Sequence, residues 1–140
     1  MMITLNTLTT RTGHTFDDHL DRTLTIPVLG GIQAQGDLIV IPADLLPGVP
    51  QPVEKWEWVP AEGSVLLDGV HPHMLFAEPG TCRFRGFPVS LIFVDWTVFE
   101  ATAPVYLMHP EHGATGLAPG RYTARRQREW RANAFQAVCD

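Results

Sequence analysis

Hydrophobic and polar positions alternate over short stretches along most of this chain, and glycine or proline closes nearly every stretch. The pattern is clearest in residues 36–42, 53–59, 64–67, 71–76, 82–84, 90–99 and 105–108. Short alternating or apolar runs between turn residues are typical of β-strands. About nine such strands predict an all-β fold, either a small barrel or a sandwich. Trp56, Trp58, Leu91, Phe93, Val105 and Leu107 are the predicted core.

The last 20 residues give a mixed signal. Residues 122–128 alternate in a way that favours a strand. Trp130, Ala134 and Val138 then recur at helical spacing, which predicts a short C-terminal helix over residues 131–138.

The first 34 residues form a section of their own. Apolar residues alternate at Ile3, Leu5 and Leu8, and again from Leu24 to Val28, which predicts two strands. We expect residues 1–34 to be an N-terminal arm and residues 35–140 to be the compact β domain. Strands outside a complete domain can add to an exposed sheet edge, on their own chain or on a neighbour.

Composition narrows the class of protein. The chain has 140 residues, which is one ordinary domain, and 12 prolines with 12 glycines argue against long helices. The net charge of −5 makes nucleic acid an unlikely general partner. The longest apolar run, residues 89–99, is polar at three positions and too short to cross a membrane. With no secretory signal pattern, we expect a cytoplasmic protein whose Cys82 and Cys139 are reduced.

Four of the six histidines occur in two short segments, His71-Pro-His73 and His109-Pro-Glu-His112. On a strand, His71 and His73 would point to one face, where imidazoles can bind a divalent metal such as zinc. The candidate ligands are His71, His73, Glu78, His109 and His112, with Glu111 as a candidate general base. The alternative is that these histidines cap turns and hydrogen-bond backbone groups.

The first segment also resembles the first motif of the cupin barrels. Gly69, His71, His73, Glu78 and Gly86 fall near the places of that motif. The glycine spacings differ, and no second motif with a later histidine follows.

Arginines concentrate near the C-terminus. Residues 121–140 hold five arginines against two acids, a net charge of +3. Arg125, Arg126 and Arg128 are candidates for an anion-binding patch, or for pairing with acidic groups of the body. On a strand they spread over two faces.

The order of motifs resembles a group of small uncharacterised bacterial and phage proteins. The motifs are Gln35-Gly-Asp37, the His-x-His pair, His109-Pro-Glu-His112, Pro119-Gly-x-Tyr122 and Gln127-Arg-Glu129. The resemblance implies a compact β domain but no activity, and because its members usually begin near the Gln-Gly-Asp segment, it implies that residues 1–34 are an added arm. We therefore expect a non-enzymatic structural or adaptor protein that assembles with copies of itself or with a protein partner, located in a virion if it is phage-encoded. The alternative is a metal-binding β-barrel, with enzyme activity on a small substrate as one outcome.

Overall fold

Two β-sheets lie face to face in this protein, whose structure is a computed structural model. The structure describes residues 3–45, 56–67, 71–86, 96–126, 128–131 and 134–137. In chain order the elements are helix α1 (Leu5–Thr12) and strands β1 (Val28–Leu29), β2 (Gln33–Gln35), β3 (Leu38–Pro42), β4 (Glu57–Trp58), β5 (Ser64–Leu67), β6 (His73–Phe76), β7 (Cys82–Gly86), β8 (Trp96–Ala101), β9 (Val105–His109), β10 (Gly113–Leu117), β11 (Gly120–Arg126), β12 (Arg128–Arg131) and β13 (Ala134–Ala137). A 3-10 turn, Ala43–Leu45, follows β3.

The sheets contain five and six strands. Their orders are β1-β10-β9-β6-β5 and β2-β3-β11-β8-β7-β4. Among the described strands neither sheet closes on itself, so the predicted all-β, sandwich-like fold is confirmed and the barrel alternative is not. All pairings within the two sheets are antiparallel except that of β1 with β10.

The predicted C-terminal helix is wrong. The described residues of that stretch form an antiparallel hairpin in which Arg128 lies opposite Ala137. A helix of eight residues with a single apolar stripe is marginal in isolation. Antiparallel pairing instead satisfies the main-chain donors and acceptors of both strands.

The main core lies between the two sheets. Leu75, Leu107 and Leu117 of the five-stranded sheet face Phe99 and Tyr122 of the other, and the rings of Phe99 and Tyr122 stack with their centroids 5.3 Å apart. Burying such side chains contributes roughly 1.5–3 kcal/mol each.

The predicted core is correct in part. Val105 and Leu107 are buried as predicted, whereas Trp58 is 61% exposed and Trp56 is only half-buried. Strand β4 lies at the edge of its sheet, so its side chains have fewer neighbours than the alternating pattern suggested. Leu91 and Phe93 lie outside the described residues.

The N-terminal section begins with a helix rather than the predicted strand. The Thr4 hydroxyl accepts a hydrogen bond from the Thr7 amide in a capping box, and Gly13 ends the helix in the left-handed conformation. The helix therefore places Leu5 and Leu8 on one face. Of the second predicted strand, only Val28–Leu29 is a strand, and it pairs with β10 of its own chain.

Residues 3–26 cover the outer face of the five-stranded sheet. Ile3, Leu5, Leu8, Phe16 and Ile26 form a second buried cluster with Phe76, Tyr106 and Met108 of that sheet. Strand β9 is consequently buried on both faces, which places its last residue, His109, deep in the protein.

Candidate functional site

The candidate site is a histidine centre, which we define as His71, His73, His109, His112 and the polar groups around them. The two histidine segments meet because β6 and β9 are adjacent strands, with Met74 opposite Met108. The ring centroids of His73 and His109 are 4.5 Å apart. The ring centroid of His109 also lies 5.9 Å from that of His71 and 4.4 Å from that of His112.

His73 is the most enclosed member of the centre, with no exposed surface. Its Nδ1 lies 3.0 Å from Oε1 of Gln35, and its Nε2 lies 2.7 Å from Oδ1 of Asp37. Both ring nitrogens therefore have hydrogen-bond partners, and in this arrangement neither is left for a metal ion.

The contacts of Gln35 decide which of its atoms faces His73. Nε2 of Gln35 donates to the Leu107 carbonyl and to the Thr115 hydroxyl, so Oε1 is the atom that faces His73. The two atoms next to the ring are then both acceptors. An imidazole that donates from both nitrogens carries two protons and a positive charge.

Asp37 is the other neighbour of the His73 ring, and both of its carboxylate oxygens are paired. One carboxylate oxygen accepts from His73, and the other accepts from Nη1 of Arg126 at 2.7 Å. Because Asp37 is 6% exposed, leaving this carboxylate unpaired would be costly. Asp37 precedes β3 and Arg126 ends β11, so the network links β6 of one sheet to the end of the other.

His109 has a different role, because it stabilises a turn. Its Nδ1 accepts from the backbone N–H groups of Glu111, at 3.1 Å, and His112, at 3.2 Å. For His109, the alternative that these histidines cap turns and hydrogen-bond backbone groups is therefore confirmed. His112 and Glu111 lie on the turn and are exposed.

The first histidine pair is arranged differently from the prediction. Strand β6 begins at His73 rather than at residue 71, so the two imidazoles do not share one strand face. His71 lies in a bend and is exposed, whereas His73 is buried. Pro72 between them has no N–H to extend the ladder.

Three of the side chains could hold an ion together. One ligand atom from each of His109, Glu111 and His112 lies within 4.8 Å of the other two. Glu78 forms an ion pair with Arg11 of α1 instead. Among the candidate anion-binding residues, Arg126 pairs with Asp37, which confirms the predicted pairing with an acid of the body. Arg125 is half-buried on β11, and the side chain of Arg128 is outside the described part.

The space beside the centre is small. A cavity of about 240 Å³ lies over His109 and is lined mainly by apolar side chains, among them Phe16, Met74 and Met108. A second, of about 260 Å³, lies beside His112. Pockets for drug-sized ligands occupy about 300–1,000 Å³, so neither cavity has the size of an ordinary substrate pocket.

Cys82 is buried in the main core. Burial, with a smaller contribution from the Glu100 carboxylate, raises the pKa of the Cys82 thiol to about 12. A buried thiol of this kind is a poor nucleophile, because a nucleophilic cysteine needs a thiolate near neutral pH.

Sequence reasoning missed Gln35 and Asp37 as members of the centre. Both belong to the Gln-Gly-Asp motif on which the resemblance rests. The available signal in the sequence was an acidic residue directly before an apolar strand. In the structure the Gln-Gly-Asp and both histidine motifs, distant in sequence, meet in one network.

The fold and the centre together define a two-sheet β protein whose buried charge network joins the sheets. The chain belongs to the family described as Domain of unknown function (DUF8820), whose model matches residues 34–127, more than half of the chain. The comparisons with curated proteins and with solved structures found no match. No helix among the described residues has the length and apolar character to cross a membrane.

Proposed function

We propose that this chain is a non-enzymatic structural or adaptor protein that assembles with a second copy of itself through residues 24–32. The observation that carries the proposal is an apolar strip at one edge of the five-stranded sheet. Leu24, Val28, Leu29 and Ile32 are 39–65% exposed. Exposed aliphatic side chains grouped in this way are typical of protein interaction surfaces.

The strip also lies on a sheet edge that carries no charged side chain. Strand β1 is at the end of its sheet, and β10 is its neighbour among the described strands. Natural edge strands are commonly protected by charged side chains. Residues 24–32 contain no Asp, Glu, Lys, Arg or His, so no charge repels an approaching strand.

A second copy is the partner that this edge fits best. Two identical edges can pair antiparallel about a two-fold axis, so that each copy satisfies the main-chain groups of the other. The apolar side chains beside the edge would then be buried together. A charged partner would gain nothing from a strip without charges.

The histidine centre supports a structural role in a second way. The nitrogens of His73, the carboxylate of Asp37 and the Nδ1 of His109 are engaged with the protein's own groups. Catalytic acids and bases must instead reach a substrate proton. The buried part of the centre, His73 with Gln35 and Asp37, therefore supports the packing of the sheets.

Light scattering after size exclusion tests the proposal. The wild-type chain should elute with twice the mass of one chain, and Leu29→Asp with Ile32→Asp should give a folded monomer. Val65→Asp is the matched control, because Val65 is 47% exposed on β5 at the opposite edge of the same sheet. A wild-type chain that stays monomeric at hundreds of micromolar would refute assembly through this strip.

A second candidate function is divalent-metal binding, favoured by the proximity of His109, Glu111 and His112. Two imidazoles and a carboxylate are ligands that zinc takes, and the exposed positions of Glu111 and His112 leave a path from solvent. An ion bound through Nδ1 of His109 would displace the two backbone N–H groups that now donate to it. Binding through that nitrogen should therefore be weaker than in a preformed zinc site.

Zinc titration against a chromophoric chelator tests this candidate. The wild type should bind one zinc ion per chain, and Glu111→Gln with His112→Gln should abolish that binding. His19→Gln is the control, since His19 is exposed on the N-terminal section. Equal zinc binding by all three proteins, or none by the wild type, would exclude the site.

A further inference from the structure

A row of four side chains crosses the outer face of the six-stranded sheet. Trp58 on β4 lies opposite Arg83 on β7, Arg83 opposite Glu100 on β8, and Glu100 opposite Arg121 on β11. Directly opposed residues point to the same side of a sheet. This row, Trp58-Arg83-Glu100-Arg121, is separate from the histidine centre and from the apolar strip.

Glu100 connects the two arginines of the row. One of its oxygens accepts from Nε and Nη2 of Arg83, at 3.1 and 2.8 Å, and the other lies 3.0 Å from Nε of Arg121. Two guanidinium groups on one carboxylate leave a formal charge of +1 on the row. The chain as a whole carries −5, so this charge is of the opposite sign to the protein.

The arginines keep donors for a further acceptor. Each guanidinium has five N–H groups, and the bonds to Glu100 use only some of them. The side chains of Arg83 and Arg121 remain 45% and 44% exposed. Planar forks of this kind bind phosphate oxygens two at a time.

Aromatic side chains border the arginines. The guanidinium carbons of Arg83, Arg85 and Arg121 lie 4.7, 5.4 and 5.5 Å from the centre of the Trp56 ring, which holds them in place by cation–π contacts. Trp58 is 61% exposed beside Arg83. An exposed indole offers a flat apolar face, and bases stack on such faces.

We propose that this row binds a free nucleotide. The base stacks on Trp58, and the phosphate takes the exposed N–H groups of Arg83 and Arg121. Neighbouring strands are about 4.8 Å apart, so the ring and the first guanidinium are close enough for one mononucleotide to contact both. A free nucleotide is favoured over a nucleic-acid strand, because the negative charge of the whole protein repels a long polyanion.

Titration of the full chain with adenosine 5′-monophosphate, followed by calorimetry and tryptophan fluorescence, tests the proposal. Adenosine and inorganic phosphate, each titrated alone, should bind more weakly than the nucleotide. Arg83→Gln and Arg121→Gln should each weaken nucleotide binding about tenfold, the effect of one charged hydrogen bond. Trp58→Ala should weaken the binding of the nucleotide and of adenosine but not of phosphate.

Two variants separate recognition from a general effect of charge or stability. Glu100→Gln removes the competing carboxylate and should strengthen nucleotide binding, whereas a merely structural bridge would give no gain. Arg11→Gln makes the same charge change as the arginine variants at a side chain paired with Glu78, and should leave affinity unchanged. Circular dichroism melts would establish that each variant is folded before its affinity is compared.

Three outcomes would overturn the inference. The first is wild-type affinity for the nucleotide no greater than for adenosine. The second is equal loss in Arg11→Gln and in the row variants. The third is that a single-stranded decanucleotide binds more than about tenfold tighter than the mononucleotide after the effect of its additional phosphates, which is largest at low salt, has been subtracted.

Discussion

Replacing His73 by leucine should destabilise the protein more than any substitution at the exposed histidines. Leucine fills a similar volume, so the change removes the two N–H donors rather than creating a large cavity. Gln35 Oε1 and Asp37 Oδ1 then lose the donors they have in the wild type, at 3.0 and 2.7 Å. Breaking a buried ion pair by removing one partner costs about 3–5 kcal/mol.

The loss should be measured by urea unfolding followed by circular dichroism. For a slope of roughly 2 kcal/mol per molar urea, a loss of about 4 kcal/mol lowers the midpoint by about 2 M. His71→Leu is the control, because His71 is exposed and surface changes usually stay within about 0.5 kcal/mol. In an Asp37→Asn background, His73→Leu should cost about 1–3 kcal/mol less, because the pair is already broken.

Nitrogen-15 spectra of the wild-type imidazoles supply an independent check. At neutral pH both nitrogens of His73 should show the shifts of protonated imidazolium, whereas His109 should show one protonated nitrogen. A stability loss below about 1 kcal/mol for His73→Leu, or a neutral His73 ring, would refute the argument that both neighbours are acceptors.

Three further predictions concern other parts of the molecule. In a Cys139→Ser variant, Cys82 should react with a disulfide reagent far more slowly in the native state than in urea at pH 8, and fast labelling of the native protein would contradict its burial. Because the folded pKa of about 12 lies above the unfolded value near 9, the contribution of this thiol to stability is complete below pH 9 and is lost as the pH rises towards 12. Gly116→Ala should detach β1 at a cost of about 1–3 kcal/mol, because the added Cβ would lie 2.5 Å from the Pro27 carbonyl oxygen. Amide exchange at Ala118, whose N–H donates to the Leu29 carbonyl, should then become faster. Gly30→Ala, with open space around it, should change neither the stability nor this exchange rate. Deleting residues 1–29 should lower the melting temperature, because it uncovers Phe76, Tyr106 and Met108, and an unchanged melting temperature would show that the N-terminal section adds no stability.

The strands were predictable because their periodicity is local. β3, β6 and β9 lie close to the predicted stretches, and the turn at His109 follows from Pro110 and the polar residues around it. The helix α1 was not predicted, since Ile3 and Leu5 fit alternation, although Leu5 and Leu8 are at helical spacing. The hydrogen bonds of Thr4 and Thr7 decide between the two, and their sequence signal is a weak form of the capping box.

The composition of the histidine centre could not be predicted in the same way. The meeting of His73 with His109 depends on the pairing of β6 with β9, and the contact of Asp37 with Arg126 depends on that of β3 with β11. Such registers are fixed by packing between distant segments. The predicted burial of Trp58 was wrong for a related reason. Trp58 is exposed because β4 lies at the edge of its sheet, and the position of a strand in a sheet is not determined by the sequence of that strand alone.

The network around Asp37 also sets an order in time. Its partner Arg126 lies 89 residues later in the chain, and a ribosome adding about 5–20 residues per second needs roughly 5–18 s to make that interval. Until then Asp37 lacks its arginine partner, and strand β3 lacks β11, its neighbour on one side. Final closure of the two sheets is therefore a late event in synthesis, and the nascent chain carries open strand edges that chaperones can bind.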